Sequence, residues 1–186
     1  MSDAARIDSL PALEAAIWRE LQTACLHKGH PWRLAVLATA DGMSADARSV
    51  VLRHVDAGTR ELIFYTDARS PKVRQFDRQP EGTMVLWSQP LGWQLRLRVH
   101  LSVATSGLEV SSRWARLKMT PAAQDYLSPL PPGSTLEPHL PAPERSTREH
   151  FAVVTAHVTA VDWLELHAEG HRRAAFDAQG ARWLVP

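Results

Sequence analysis

The stretch from Arg48 to Lys72 decides the fold. It reads R-S-V-V-L-R at 48–53, a break H-V-D-A-G-T-R-E at 54–61, then L-I-F-Y-T-D-A-R-S-P-K at 62–72. Two apolar runs on either side of a turn-like segment predict a β-hairpin. Ser70 as N-cap with Pro71 in the first helical position predicts a helix start. The second strand therefore ends at a helix N-terminus bearing a hydroxyl, an arginine and a lysine (Ser70, Arg69 and Lys72). The first N–H groups of a helix have no intrahelical partner, and its dipole favours an anion there. That is the local chemistry of a phosphate site. Lys72 stands out because the chain has three lysines against eighteen arginines. A first-turn cation opposes the helix dipole unless an anion offsets it.

The flanking sequence extends the β pattern. An amphipathic helix is expected over 9–25, with Leu10, Leu13, Ile17, Leu21 and Cys25 on one face. Strands are expected over Trp32–Ala40, ahead of an Asp41-Gly42 turn, and over Met43–Val55 and Glu61–Thr66. A short helix follows at Ser70–Arg78, then a strand at Gly82–Trp87. Trp93 to Thr105 alternates strictly, with Leu95, Leu97, Val99, Leu101 and Val103 on one side and Gln94, Arg96, Arg98, His100 and Ser102 on the other. That polar side is either solvated surface or the wall of a site. Leu108–Lys118 and Pro121–Leu127 read as helical. Residues 127–145 hold six prolines in nineteen positions, an arm with no core of its own. Phe151–Leu166 is a long strand with a bend near Asp162, and Arg172–Phe176 and Trp183–Val185 are short terminal strands. Strands linked mostly by hairpins, without βαβ alternation, predict a mainly β fold with peripheral helices. The expected architecture is a six- to seven-stranded antiparallel barrel in one domain over 1–186.

Composition narrows the function. A net charge of +1 gives no bulk drive toward nucleic acid or an anionic membrane, so any anion site is local. The single cysteine, Cys25, excludes an internal disulfide and a cysteine-rich zinc site. No apolar run reaches the roughly 18 residues of a membrane span. The first residues lack a signal-peptide core, so a cytoplasmic location is expected. The pairs His27/His30 and His167/His171 lack a third placed ligand, and no metal is expected. There is no G-x-S-x-G, P-loop or G-x-G-x-x-G motif.

The 48–72 stretch, the strand W-Q-L-R-L-R-V from Trp93, and the C-terminal run V-D-W-L-E-L-H-A-E-G-H-R-R-A-A-F with its closing W-L-V-P resemble the pyridoxamine 5′-phosphate oxidase-like proteins. That family has the FMN-binding split-barrel fold. The likeness runs from Arg33 to Pro186, is weakest over 106–145, and points to the oxidase-related branch rather than to the true oxidases. It implies FMN as cofactor and a homodimer with two FMN sites at the subunit interface. Arg48 would meet the FMN, and the backbone of Ser49, Val50 and Val51 would line it. Tyr65 and Thr66 would sit at its ribityl-phosphate end. Lys72, Ser70 and Arg69 would hold the phosphate. Gln94 would reach the flavin ring from the partner subunit. Trp163 and Arg173 keep the family's ten-residue spacing of late flavin contacts.

The sequence also departs from the family. Pro71 stands where an arginine usually precedes the phosphate-binding lysine, and Arg69 is the candidate replacement. Arg53 occupies the position of a substrate-phosphate lysine. Ser112-Arg113-Trp114 is the nearest match to a substrate-binding S-R-P motif, with the proline lost. Arg53 and Arg113 are thus the substrate-side candidates for a small molecule, and no catalytic residue is assigned. The implied activity is FMN-dependent oxidoreduction. The alternatives are a non-catalytic flavin- or tetrapyrrole-binding module acting as carrier, sensor or store, and a deazaflavin enzyme.

Overall fold

The structure is a computed structural model that describes residues 6–40, 42, 44–135 and 149–186. Eight strands are present: β1 (Leu34–Ala40), β2 (Ala45–Asp56), β3 (Glu61–Asp67), β4 (Glu81–Ser88), β5 (Trp93–Ala104), β6 (Phe151–Glu165), β7 (Arg172–Asp177) and β8 (Gly180–Leu184). Helices α1 (Leu10–Leu26), α2 (Pro71–Arg78) and α3 (Leu108–Leu117) accompany them, with 3₁₀ turns at Pro31–Arg33 and Pro121–Tyr126. All strand pairs are antiparallel.

The order β3-β2-β1-β4-β5-β6 closes through a β3–β6 pairing, so six strands form a barrel. The strands β7 and β8 continue from β6 as an open extension. The six-stranded ring agrees with the expected six- to seven-stranded barrel, and the two terminal strands extend the sheet beyond it. The long β6 makes both arrangements. Its first half, Phe151–His157, pairs with β3, and Val161–Glu165 pairs with β7, while β5 runs along the other side. The exchange of partners occurs where the β5–β6 register slips between Arg98 and Val99, leaving Thr159 as the extra residue. The irregularity is therefore at Thr159 rather than near Asp162. A bulge bends its strand and increases its twist, which lets one strand serve two sheet directions.

The period-2 pattern sets the core. Leu95, Leu97, Val99 and Leu101 of β5 point inward with Leu37, Leu52, Phe64, Met84, Val154 and Val161, and Leu13, Ile17 and Leu21 of α1 join them. Each such side chain contributes about 1.5–3 kcal/mol on burial. Trp32 was expected to open a strand. It lies in the 3₁₀ turn before β1 and is fully buried, because Pro31 starts that turn. A second core lies outside the ring, where Val110, Trp114 and Leu117 of α3, together with Ala123 and Leu127, cover Ile63, Phe151 and Val153 of β3 and β6. The start of the Pro-rich segment thus has a core, since Leu127 is buried in this cluster. The remainder of the expected arm, from residue 136, and Asp41 of the expected turn lie outside the described residues.

Two local features position the site. Strand β2 pairs with β3 only over Leu52–Asp56, so among the described residues Ala45–Val51 is bonded on the β1 side alone. The β2–β3 register also slips between Leu52 and His54, making Arg53 the bulged residue. At the β4–β5 turn, Gly92 has φ +64, and a Cβ there would lie 2.6 Å from the Leu166 carbonyl oxygen. That close approach fits Gly alone. It brings the Gly92 carbonyl to accept from Leu166 N–H at 2.8 Å, which ties the turn before Gln94 to the end of β6.

Candidate functional site

One end of the barrel gathers a polar cluster from four elements. Arg48 on β2 lies opposite the fully buried Leu37, so its side chain belongs to the inner face at the barrel mouth. Its guanidinium donates to Thr39 Oγ1 (2.6 Å), Gln75 Oε1 (2.7 Å), Asp46 Oδ2 (2.5 Å) and the Leu37 carbonyl (3.4 Å). Thr39 at the end of β1 is buried and donates to the same Gln75 oxygen at 2.7 Å. Gln75 sits on α2 and locks that helix to the barrel rim.

Lys72 enters from the first turn of α2. Its Nζ donates to Ser70 Oγ at 2.7 Å and to Thr66 Oγ1 at 3.1 Å. Both hydroxyl residues are buried. Among the described residues no carboxylate lies within ion-pair distance of Lys72. Burial pushes its pKa below the ordinary lysine value, and the nearby Arg48 charge pushes it further, against opposing pulls from Asp67 and Asp46. Two cations thus share one mouth, one of them held only by hydroxyls. That is costly alone and favourable around an anion. Ser70 and Pro71 open α2 as expected. Ser70 holds the N-cap position without a side-chain cap bond, because its hydroxyl accepts from Lys72 instead.

The remaining candidates separate. Arg69 forms a fork on the buried Asp67 (3.0 and 2.6 Å) and donates to the carbonyls of Ser128, Pro129 and Leu130 (2.8, 3.1 and 3.2 Å). These five hydrogen bonds fasten the segment after the second core to the end of β3. Ser49 and Val51 pair with Val36 and Leu34 on the outer face, whereas the Val50 side chain is core. Gln94 also faces outward, level with Trp87 on β4 and Leu164 on β6. Arg173 lies beyond Leu164 in the same row, its guanidinium fork holding Asp162 at 3.0 and 2.6 Å. Trp163 does not share that face. It is fully buried on the inner side beside Leu95, in edge contact with Trp93 and Trp183. The structure therefore separates Trp163 from Arg173 across the sheet, because adjacent residues on a strand point to opposite faces.

On the substrate side, the bulge at Arg53 turns its guanidinium over the Tyr65 ring, 5.7 Å from the centroid, and toward the Tyr126 hydroxyl. Tyr65 and Tyr126 both pack edge-on against Phe151. Arg113 lies on α3, paired with Glu109 one turn away at 2.9 Å, and touches none of the mouth residues. Among the described residues no group of three metal-ligating side chains converges. Among the described residues, no helix is long and apolar enough to cross a membrane.

Sequence reading missed Thr39, Asp46 and Gln75. A signal existed for Asp46, since Asp46 and Arg48 are two apart on a strand and share a face. Thr39 closes an apolar run and Gln75 lies on a helix flank, and neither position signals a contact between distant elements.

Residues 15–105 match the family model described as pyridoxamine 5′-phosphate oxidase, FMN-binding domain. No curated protein matches the sequence. Among solved structures, a pyridoxamine 5′-phosphate oxidase-related, FMN-binding protein from Nostoc punctiforme is 22% identical, with 100% of each chain covered and a TM-score of 0.74. PhzG from Burkholderia lata, solved in complex with tetrahydrophenazine-1-carboxylic acid, is 17% identical, with 99% of this chain and 98% of that chain covered and a TM-score of 0.74. A Listeria innocua protein described as a pyridoxamine 5′-phosphate oxidase is 15% identical, covering 80% of this chain and 95% of that one at a TM-score of 0.53. These likenesses establish the split-barrel fold.

Proposed function

Since the chain carries, over residues 15–105, the FMN-binding domain of the pyridoxamine 5′-phosphate oxidase family, we propose that it is an FMN-dependent oxidoreductase acting on a small molecule. The observation that carries this reading is the barrel mouth. Lys72, half-buried on two hydroxyls and lacking a carboxylate among the described residues, stands beside Arg48 at a helix N-terminus. That donor set fits a phosphate dianion. Lys72 and Arg48 neutralise it, and Ser70 and Thr66 supply hydroxyls. The half-paired stretch Arg48–Val51 offers backbone groups along which a cofactor can lie. Bound flavin would supply the hydride or electron chemistry, and the protein supplies binding, orientation and exclusion of water.

The active unit in this reading is a homodimer. Gln94 and Arg173 face outward while Arg48 faces inward, so one chain does not bring them to one point. The same outer face exposes Leu34, Val36 and Trp87 on neighbouring strands, at 53%, 44% and 43% of their full area. A second copy laid on this apolar face would cover it and carry its Gln94 to the first copy's cofactor. A cytoplasmic flavoprotein is the setting we assign.

The test is an absorbance spectrum of the purified protein with an FMN titration. A flavin spectrum that shifts on binding, at one FMN per chain, is the expected result. A sample that takes up no FMN removes the reading. A second reading, a flavin-binding module without turnover, is favoured by the Arg113–Glu109 pair, which holds the nearest match to a substrate-phosphate arginine on α3. Reduction by NADH, NADPH or amines followed by reoxidation in air separates the two. Bound flavin that no donor reduces selects the module.

A further inference from the structure

We propose that Asp46 is an internal rival of the cofactor phosphate, a carboxylate that occupies Arg48 until a dianion displaces it. Asp46 thereby sets the selectivity of the site for a phosphate dianion over singly charged anions. The inference rests on the assignment of the barrel mouth as the phosphate site.

Four observations carry it. Asp46 and Arg48 share the inner face of β2, and Asp46 Oδ2 accepts from Arg48 Nη2 at 2.5 Å. Asp46 is also the second carboxylate acting on Lys72, with Asp67. Of these two, Asp67 is buried and spent on the Arg69 fork. Asp46, although it also bonds Gln75 and the Ala47 backbone, has a side chain 54% exposed, so water can take over its partners when it swings out. Finally, Arg48 does not depend on Asp46 for its aim. Thr39 Oγ1, Gln75 Oε1 and the Leu37 carbonyl remain as acceptors when the carboxylate swings out.

The physical consequence is an exchange. An incoming anion must replace an intramolecular carboxylate whose effective concentration is high, as for any tethered ligand. A single negative charge offers Arg48 and Lys72 no more than Asp46 already supplies. A phosphate dianion engages both cations at once and repels the carboxylate into water. Asp46 thus lowers affinity for every anion, and weak anions no longer compete at all. An exposed ion pair of this kind is weak enough to be broken without disturbing the fold.

The experiment compares wild type, Asp46→Asn and Lys72→Ala by FMN titration, with riboflavin as the phosphate-free probe and thermal melting as the control for folding. Asp46→Asn is expected to bind FMN roughly three- to five-fold tighter, the range of an exposed ion pair. Riboflavin affinity and melting temperature stay unchanged. Acetate at high concentration should inhibit FMN binding to Asp46→Asn more than to wild type. If Asp46→Asn binds FMN as wild type does, or more weakly with an unchanged melting temperature, Asp46 is no rival and the inference falls. Lys72→Ala reports on the premise separately. If it binds FMN as tightly as wild type, the phosphate site is elsewhere, and the assignment of the barrel mouth and this inference fall together. If it binds weakly while Asp46→Asn shows no gain, only the inference is lost.

Discussion

Arg69→Ala is expected to lower the melting temperature by roughly 6–12 °C. Its guanidinium is the side-chain partner of the buried Asp67 carboxylate and the anchor of three carbonyls at 128–130. Removing one partner of a buried pair costs about 3–5 kcal/mol because the other charge is left uncompensated. The Arg69 backbone N–H still reaches Asp67 at 2.8 Å, so we place the loss near the lower end, about 3 kcal/mol, and a chain of this size loses about 2–4 °C per kcal/mol. Arg69→Lys should recover little, because a point charge does not reproduce a planar fork. Thermal melts of both variants, with Asp67→Asn and the double variant, measure the coupling. The opposite pattern, a normal melting temperature with weakened FMN binding, would return Arg69 to the phosphate.

Lys72→Ala is expected to weaken FMN binding by about 1–3 kcal/mol, the scale of a lost charge-assisted hydrogen bond. That corresponds to roughly a five- to 150-fold rise in Kd. The pH dependence carries a second signature. In the folded protein, burial and Arg48 set the Lys72 pKa below its ordinary value. FMN affinity should therefore fall as pH rises through that depressed value, earlier than an ordinary lysine near 10.4 would dictate. Stability moves the other way. A lysine with a lowered folded pKa costs the cofactor-free protein stability while it is charged, and that cost begins to fall as pH rises past the folded value and is gone above the ordinary lysine value. The cofactor-free protein should thus become more stable relative to Lys72→Met over the same alkaline interval. Isothermal titration across pH, with melts of both forms, checks the two slopes. Parallel pH profiles in wild type and Lys72→Arg would remove Lys72 from the contact.

Much of this fold is legible because periodicity survives in the sequence. The β5 alternation places Leu95 through Leu101 inside and Gln94 through Ser102 outside, as the structure has it. The Ser70-Pro71 start of α2 is equally plain. What the sequence hides is exchange between elements. Nothing in F-A-V-V-T-A-H-V announces that β6 changes partners at Thr159, since a bulge costs one residue and leaves no composition mark. Similar reasons make Arg69 misleading. Beside Ser70 and Lys72 it looks like a third phosphate ligand, yet Asp67, two residues back, claims it. Trp163 and Arg173 keep the family's ten-residue spacing while standing on opposite faces of the sheet. The Arg48–Thr39–Gln75 network joins residues 36 positions apart, a contact made only when α2 packs back on β1.

The half-bonded stretch Ala45–Val51 has a meaning beyond ligand binding. Among the described residues no strand pairs with this edge on the side away from β1, and beside exposed Leu34 and Val36 such an edge is adhesive, since an extended chain could zip onto it. On the proposed reading, copies without bound FMN would therefore carry a latent nucleus for fibril-like association, and flavin supply would govern solubility.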